Sequence, residues 1–190
     1  MKNVKTNEEA IFMNFQNENI IKLCSFYVSD WHLITMLLPY INKQIDEKVQ
    51  IATILENNIE EKITTFVKKL KIPNEEKILK IQWKNKKTLK YNSLKRLIEN
   101  HLGNRILIIV NGNREYINET NKIINEYIIN NLNKIKESKT YIKIVDCYKI
   151  VEFNTSIMEI LDNHDMILNT SGEREITDIF EDYVRNEKIS

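Results

Sequence analysis

Residues 147–168 read Cys147-Tyr-Lys-Ile-Val-Glu-Phe-Asn-Thr-Ser-Ile-Met-Glu-Ile-Leu-Asp-Asn-His164-Asp-Met-Ile-Leu168. A strand ends at Cys147-Tyr148, an amphipathic helix runs to His164, and a second apolar run begins at Met166. Strand, helix and strand in such quick succession make a parallel βαβ unit, because parallel neighbours need a crossover connection. Ligands bind at the C-terminal strand ends of units of this kind.

The rest of the chain repeats the alternation. Leu23–Val28 and Val49–Leu55 read as strands, Arg105–Val110 as the clearest strand, and Tyr141–Tyr148 as the next. Ile106–Val110 is apolar at every position, as a central parallel strand buried on both faces must be. Asn111-Gly112 reads as the turn that ends it. Lys77–Trp83 is expected to be a further strand. Helical spacing is seen over residues 30–46, 59–70, 89–102, 115–136 and 155–163. Ser29 or Asp30 caps the first of these, Pro39 lies inside it, and Gly103 closes the third at a left-handed position. Ile176, Ile179, Phe180, Tyr183 and Val184 fall on one stripe of a final amphipathic helix. The expected fold is α/β, a mainly parallel sheet flanked by helices on both faces in a RecA/Rossmann-like three-layer sandwich. The expected organisation is an N-terminal arm over 1–19, an α/β domain over 20–172 and a C-terminal amphipathic helix over 173–190.

Composition excludes several classes. The 190 residues carry 28 basic and 27 acidic side chains, for a formal net charge of +1. That balance argues against a dedicated nucleic-acid binder. Cys24 and Cys147 are too few for a disulfide framework and lack metal-ligand spacing. No apolar run approaches the ~20 residues that span a bilayer. The expected location is the cytoplasm, with no cofactor and no metal.

The motif search returns mostly absences. Neither a Gly-x-x-x-x-Gly-Lys-Ser/Thr loop nor Gly-x-Gly-x-x-Gly is present, and the chain holds 3 glycines. The loop after the first strand is Val28-Ser29-Asp30-Trp31, with a carboxylate and an indole where phosphate would have to approach. Cys147 and His164 invite a Cys–His catalytic reading. Opposite ends of a helix about 12 Å long do not meet, however, and a buried structural Cys with a helix-end His is the simpler account. Trp83-Lys-Asn-Lys-Lys-Thr-Leu-Lys-Tyr91 interleaves lysines with aromatics as an RNA-contacting loop would, but with a net charge near zero a solvated loop in a Lys-rich chain is the favoured account. His32 stands in the first turn of a helix beside Trp31. The positions at or just past strand C-terminal ends are Phe26, Tyr27, Trp31, His32, Asn111 and Tyr148, and these form the expected ligand site.

Two blocks together resemble a known family. One is Cys24-Ser-Phe-Tyr27 with Leu37-Leu-Pro-Tyr-Ile41 and Ile51-Ala-Thr-Ile-Leu55. The other is Cys147-Tyr148, Phe153, Ile160-Leu161 and His164-Asp-Met-Ile-Leu168. The pattern is similar to the MEDS sensory domain of methanogen and methylotroph signalling proteins, over residues 20–172. The chain departs from it at Lys22, where a His often begins the first strand, at Ile45 and Lys48, where glycines are common, and at Asp165, where Pro follows the His. The resemblance implies a RecA/KaiC-like core without a phosphate loop, and a small-molecule sensor that signals through an effector. The resulting expectation is a non-enzymatic module for signal transduction or transcriptional control. It would bind a small molecule or a partner protein, and it could form a homodimer. The alternatives are an enzyme, hydrolase or transferase, with an unrecognised site, and an RNA-binding or protein-interaction module.

Overall fold

The apolar runs become the strands of one sheet in the computed structural model, which describes residues 19–83, 90–150 and 157–184. In chain order the elements are β1 (Ile20–Tyr27), α1 (Asp30–Asp46), β2 (Gln50–Leu55), α2 (Glu60–Leu70), α3 (Glu75–Lys80) and α4 (Tyr91–Glu99). Then come β3 (Arg105–Gly112), α5 (Arg114–Asn130), α6 (Leu132–Glu137), β4 (Tyr141–Lys149), α7 (Ile157–Asp162), β5 (Met166–Asn169) and β6 (Gly172–Glu175).

The strand order is β2-β3-β4-β1-β5-β6. Every neighbouring pair is parallel except the β5–β6 hairpin. Alternation along the strands sends side chains to two cores. Leu23, Leu107, Ile109, Val145 and Cys147 face α1–α3 on one side. Cys24, Ile106, Ile108, Ile142, Ile144 and Tyr148 face α4–α7 on the other. The molecule is therefore an α/β fold of three layers, with a mixed, mostly parallel sheet in the middle.

Local chemistry explains the element starts. Ser29 caps α1 by accepting from the His32 backbone N–H, and Asn113 caps α5 by accepting from that of Tyr116. Each satisfies one of the donors that a helix N-terminus leaves orphaned. Gly103 carries φ +81 in the turn before β3, as the left-handed position requires.

Four expectations are corrected. Lys77–Lys80 is helical, not a strand: α3 presents the buried Ile78, whose carbonyl accepts from the indole of the fully buried Trp83. Asn111-Gly112 continues β3 instead of turning, because the Asn111 carbonyl accepts from the Glu56 backbone N–H. The long helix expected over 115–136 breaks at Asn131 into α5 and α6. The C-terminal segment holds no α-helix among its described residues: Gly172–Glu175 pairs with β5, and Ile176–Asp178 is a single 3-10 turn. Gly172, at φ +102, turns the chain back, and the Asn169 side chain accepts from the Ser171 backbone N–H. Of the expected stripe, Ile176 and Tyr183 are buried, while Val184 is 78% exposed. The expected arm over 1–19 lies outside the described residues except for Asn19.

Candidate functional site

Asp146 has no exposed surface, although it is a carboxylate on a central strand. It stands at an inward position of β4, one residue pair along from Ile144 and directly beside Cys24 of β1 in register. A buried charge is costly unless it is paired, so its partners define the site. The Nε2 atom of His164 lies 2.9 Å from Asp146 Oδ2. The Asn121 amide on α5 donates to the same oxygen at 2.5 Å.

The position of His164 follows from the end of α7. Its Nδ1 lies 2.6 Å from the Ile160 carbonyl oxygen, and Asn163 donates to the Glu159 carbonyl, so two side chains satisfy the last carbonyls of the helix. Asp165 then ties the segment to β1. Its carboxylate accepts from the Lys22 backbone N–H and its own N–H donates to the Lys22 carbonyl, both at 2.8 Å. Tyr148 meets the imidazole edge-on, with ring centroids 6.0 Å apart.

The hydrogen bonding fixes the proton count. A carbonyl oxygen only accepts, so Nδ1 of His164 carries a proton. Nε2 and the Asp146 carboxylate then need one further proton between them, whether as an imidazolium–carboxylate pair or as a neutral acid–imidazole pair.

This pair forms the floor of a cleft of about 260 Å3 on the α5–α7 side of the sheet. Lys22, Arg114 and Lys122 bring positive charge to its lining, and Glu159, ion-paired with Arg114, stands beside them. The Lys22 ammonium donates to Asn125 at 2.7 Å. Burial pushes the Lys22 amine below its ordinary value, while Asp146 and Asp165 oppose that shift. Two acceptors on the floor have no hydrogen-bond partner among the described residues: Asp146 Oδ1 and Asn121 Oδ1. The Asn121 amide cannot be turned round to relieve its own oxygen, because that would set oxygen against the Asp146 carboxylate.

The six residues expected from the sequence stand at the C-terminal end of the sheet but on its two faces. Phe26 and Tyr148 pack together at 6.1 Å between ring centroids, on the cleft side. Tyr148 alone of the six lines the cleft. Tyr27 and Asn111 pair on the opposite side, where the Asn111 amide donates to the Tyr27 hydroxyl at 2.7 Å. Trp31, 47% exposed, lies against Phe66 of α2, and His32 Nδ1 accepts from the Val28 backbone N–H at 3.2 Å. At the start of α1, Asp30 ion-pairs with Lys62 of α2.

Asp146 was not singled out in the sequence, and Lys22 only as a departure from the family pattern. The signal was available, since each places a charge at an inward-facing position of a strand whose other inward residues are apolar. Cys147 leaves the sheet on the face opposite Asp146, so it does not share a site with His164. Burial raises the Cys147 thiol well above its ordinary value. Of the lysine- and aromatic-rich segment 83–91, residues 84–89 lie outside the described residues, Trp83 is 1% exposed, and Tyr91 packs against Tyr127. Among the described residues no group of three or more His, Cys, Asp or Glu side chains is arranged to hold a metal ion. No helix among them is long and apolar enough to cross a membrane.

Comparison of the chain with protein-family models, with curated proteins and with solved structures finds no match.

Proposed function

We propose that the protein is a small-molecule-binding regulatory module, and that its ligand sits in the cleft over Asp146 and His164. The observation that carries this reading is a pair of buried acceptors without a partner among the described residues, Asp146 Oδ1 and Asn121 Oδ1, on side chains that line a concave site. Buried polar groups in folded proteins nearly always have partners, and an unpaired one costs about 1–3 kcal/mol. A ligand that donates to these oxygens recovers that cost. The lining supplies cations, amides and one aromatic ring, a set suited to recognition. The resemblance to the MEDS sensory domain agrees with a sensor, and on this reading its signal passes to a partner protein in signal transduction or transcriptional control. Thermal-shift screening of a metabolite library tests the proposal. A hit must stabilise the native protein and lose its effect in Asn118→Trp, which fills the rim of the cleft from an exposed position. Hits that are indifferent to Asn118→Trp contradict it.

One observation favours a second reading, an enzyme acting in the same cleft. Lys22 presents an amine lowered by burial beside an Asp–His pair that holds a shared proton. Such an amine attacks a carbonyl carbon, loses water and leaves an imine, with the acid–base pair moving the protons. Borohydride reduction in the presence of small aldehydes and ketones separates the readings: a permanent adduct on Lys22 supports the enzyme, and no adduct supports the sensor.

A further inference from the structure

We infer that the cleft recognises a neutral, conjugated NH2 group, as in a carboxamide or an amino-heterocycle, on a ligand whose other end is anionic. The inference rests on the binding reading above and specifies its ligand.

The deep end sets the first requirement. Asp146 Oδ1 and Asn121 Oδ1 are both acceptors, and neither has a donor among the described residues. A group with two N–H bonds answers both, whereas a carbonyl or ether oxygen answers neither.

Charge sets the second. Among the described residues of the lining, Lys22, Arg114 and Lys122 outnumber the Asp146 and Glu159 carboxylates by one. The proton shared by Asp146 and His164 raises the positive excess to two, in either of its two placements. The Lys22 ammonium already stands beside Asp146 at the deep end, so a second ammonium or guanidinium there would meet a like charge at close range, where repulsion is strong because water is scarce. A conjugated NH2 donates without carrying that charge.

The same excess fixes the other end. Arg114 and Lys122 lie on α5 and are more exposed than Asp146, and there a carboxylate or phosphate meets guanidinium and ammonium groups. Tyr148 adds an aromatic ring to the lining. A volume of about 260 Å3 suits a molecule of amino-acid to nucleotide-monophosphate size.

Matched pairs of compounds test this by calorimetric titration of the intact protein. Succinamate against monomethyl succinate, which carry the same charge, represents the amide source, and cytidine against uridine monophosphate the heterocycle source. In each pair the first member carries the NH2 and the second an oxygen. We expect at least one NH2 member to bind and its oxygen counterpart to bind at least tenfold more weakly. Asp146→Asn must erase or invert that preference. Asn121 still donates to the inner oxygen position, so the new amide turns its own NH2 towards the ligand. Equal binding of both members, or a preference unchanged in Asp146→Asn, overturns the inference. Failure of both pairs also overturns it. In that case a ligand of another class that is lost in Asn118→Trp leaves the binding reading standing, and the absence of any such ligand removes that reading as well.

Discussion

His164 Nε2 lies 2.9 Å from Asp146 Oδ2, and His164 Nδ1 lies 2.6 Å from the Ile160 carbonyl. The second contact dictates the meaning of the first. With Nδ1 committed as a donor, the bond to Asp146 exists only with a proton shared between the two side chains. The histidine is therefore both the end-cap of α7 and the partner that makes a fully buried carboxylate tolerable.

Removing that partner is costly. His164→Phe leaves Asp146 buried without its shared proton, and breaking a buried pair costs about 3–5 kcal/mol. The double variant Asp146→Leu/His164→Phe removes both polar groups, and its loss should be well below the sum of the two single losses. Urea unfolding of the four proteins in the cycle measures the coupling. Simple additivity would show that the pair does not act as a unit.

A second prediction concerns the end of β3. A Cβ on Gly112 would lie 2.6 Å from Tyr116 Cδ1 and 2.9 Å from both Cβ and Oε2 of Glu56. Glu56 is not free to retreat, because both of its carboxylate oxygens accept from Asn113, one from the backbone N–H and one from the side-chain amide. Gly112→Ala should destabilise by about 1–3 kcal/mol, the usual cost of overpacking. A shift below ~0.5 kcal/mol would mean that the Glu56–Asn113 junction gives way.

Alkaline pH should unfold the protein earlier than its charge balance suggests. Burial pushes the Cys24 thiol up to about 12, and the neighbouring Asp146 adds to the shift. Burial also holds the Cys147 thiol and the Tyr148 hydroxyl above their ordinary values, again with help from Asp146. A group whose folded value is raised contributes stability that is complete below its unfolded value and falls as pH climbs through the folded one. For Cys24 that window runs from about 9 to about 12. Denaturation midpoints should therefore decline steadily above pH 9, and Cys24→Ala should flatten the decline. A flat profile to pH 11 would contradict the burial of these groups.

Trp31 should matter little to the cleft. Its ring is 47% exposed and lies against Phe66 on the opposite side of the sheet from Asp146. Trp31→Ala should cost less than about 1.5 kcal/mol in stability. It should leave affinity for a cleft ligand within twofold, while Tyr148→Ala weakens it. The reverse order of effects would move the site to the α1 side.

The layers of the fold were legible because burial writes itself into the apolar pattern. Ile106–Val110 is apolar throughout, and it is a central strand with helices on both faces. The chain was harder to read where short polar segments decide the backbone. Lys77–Trp83 offers apolar residues at spacings that suit either a strand or a short helix, and the bond from the Trp83 indole to the Ile78 carbonyl settles it as a helix. The apolar stripe after Ile176 has true helical spacing, but Gly172 turns the preceding residues into a hairpin and the stripe divides between buried and exposed positions. The site was partly legible for the same reason. Strand ends are visible in sequence, which picked out Tyr148. Which face a residue takes depends on register, and this separates Phe26 and Tyr148 from Tyr27 and Asn111 and brings Asp146, Asn121 and His164 together from β4, α5 and the end of α7.

On the proposed function, ligand binds over the Asp146–His164 pair. Amide and side-chain NMR of the intact protein, recorded while a stabilising hit from the metabolite screen is titrated in, tests this most directly. The account predicts that the largest shift changes fall on Asn121, Asp146, Tyr148 and His164, with the His164 ring nitrogens among them. Changes centred instead on Tyr27, Trp31, His32 and Asn111 would contradict it.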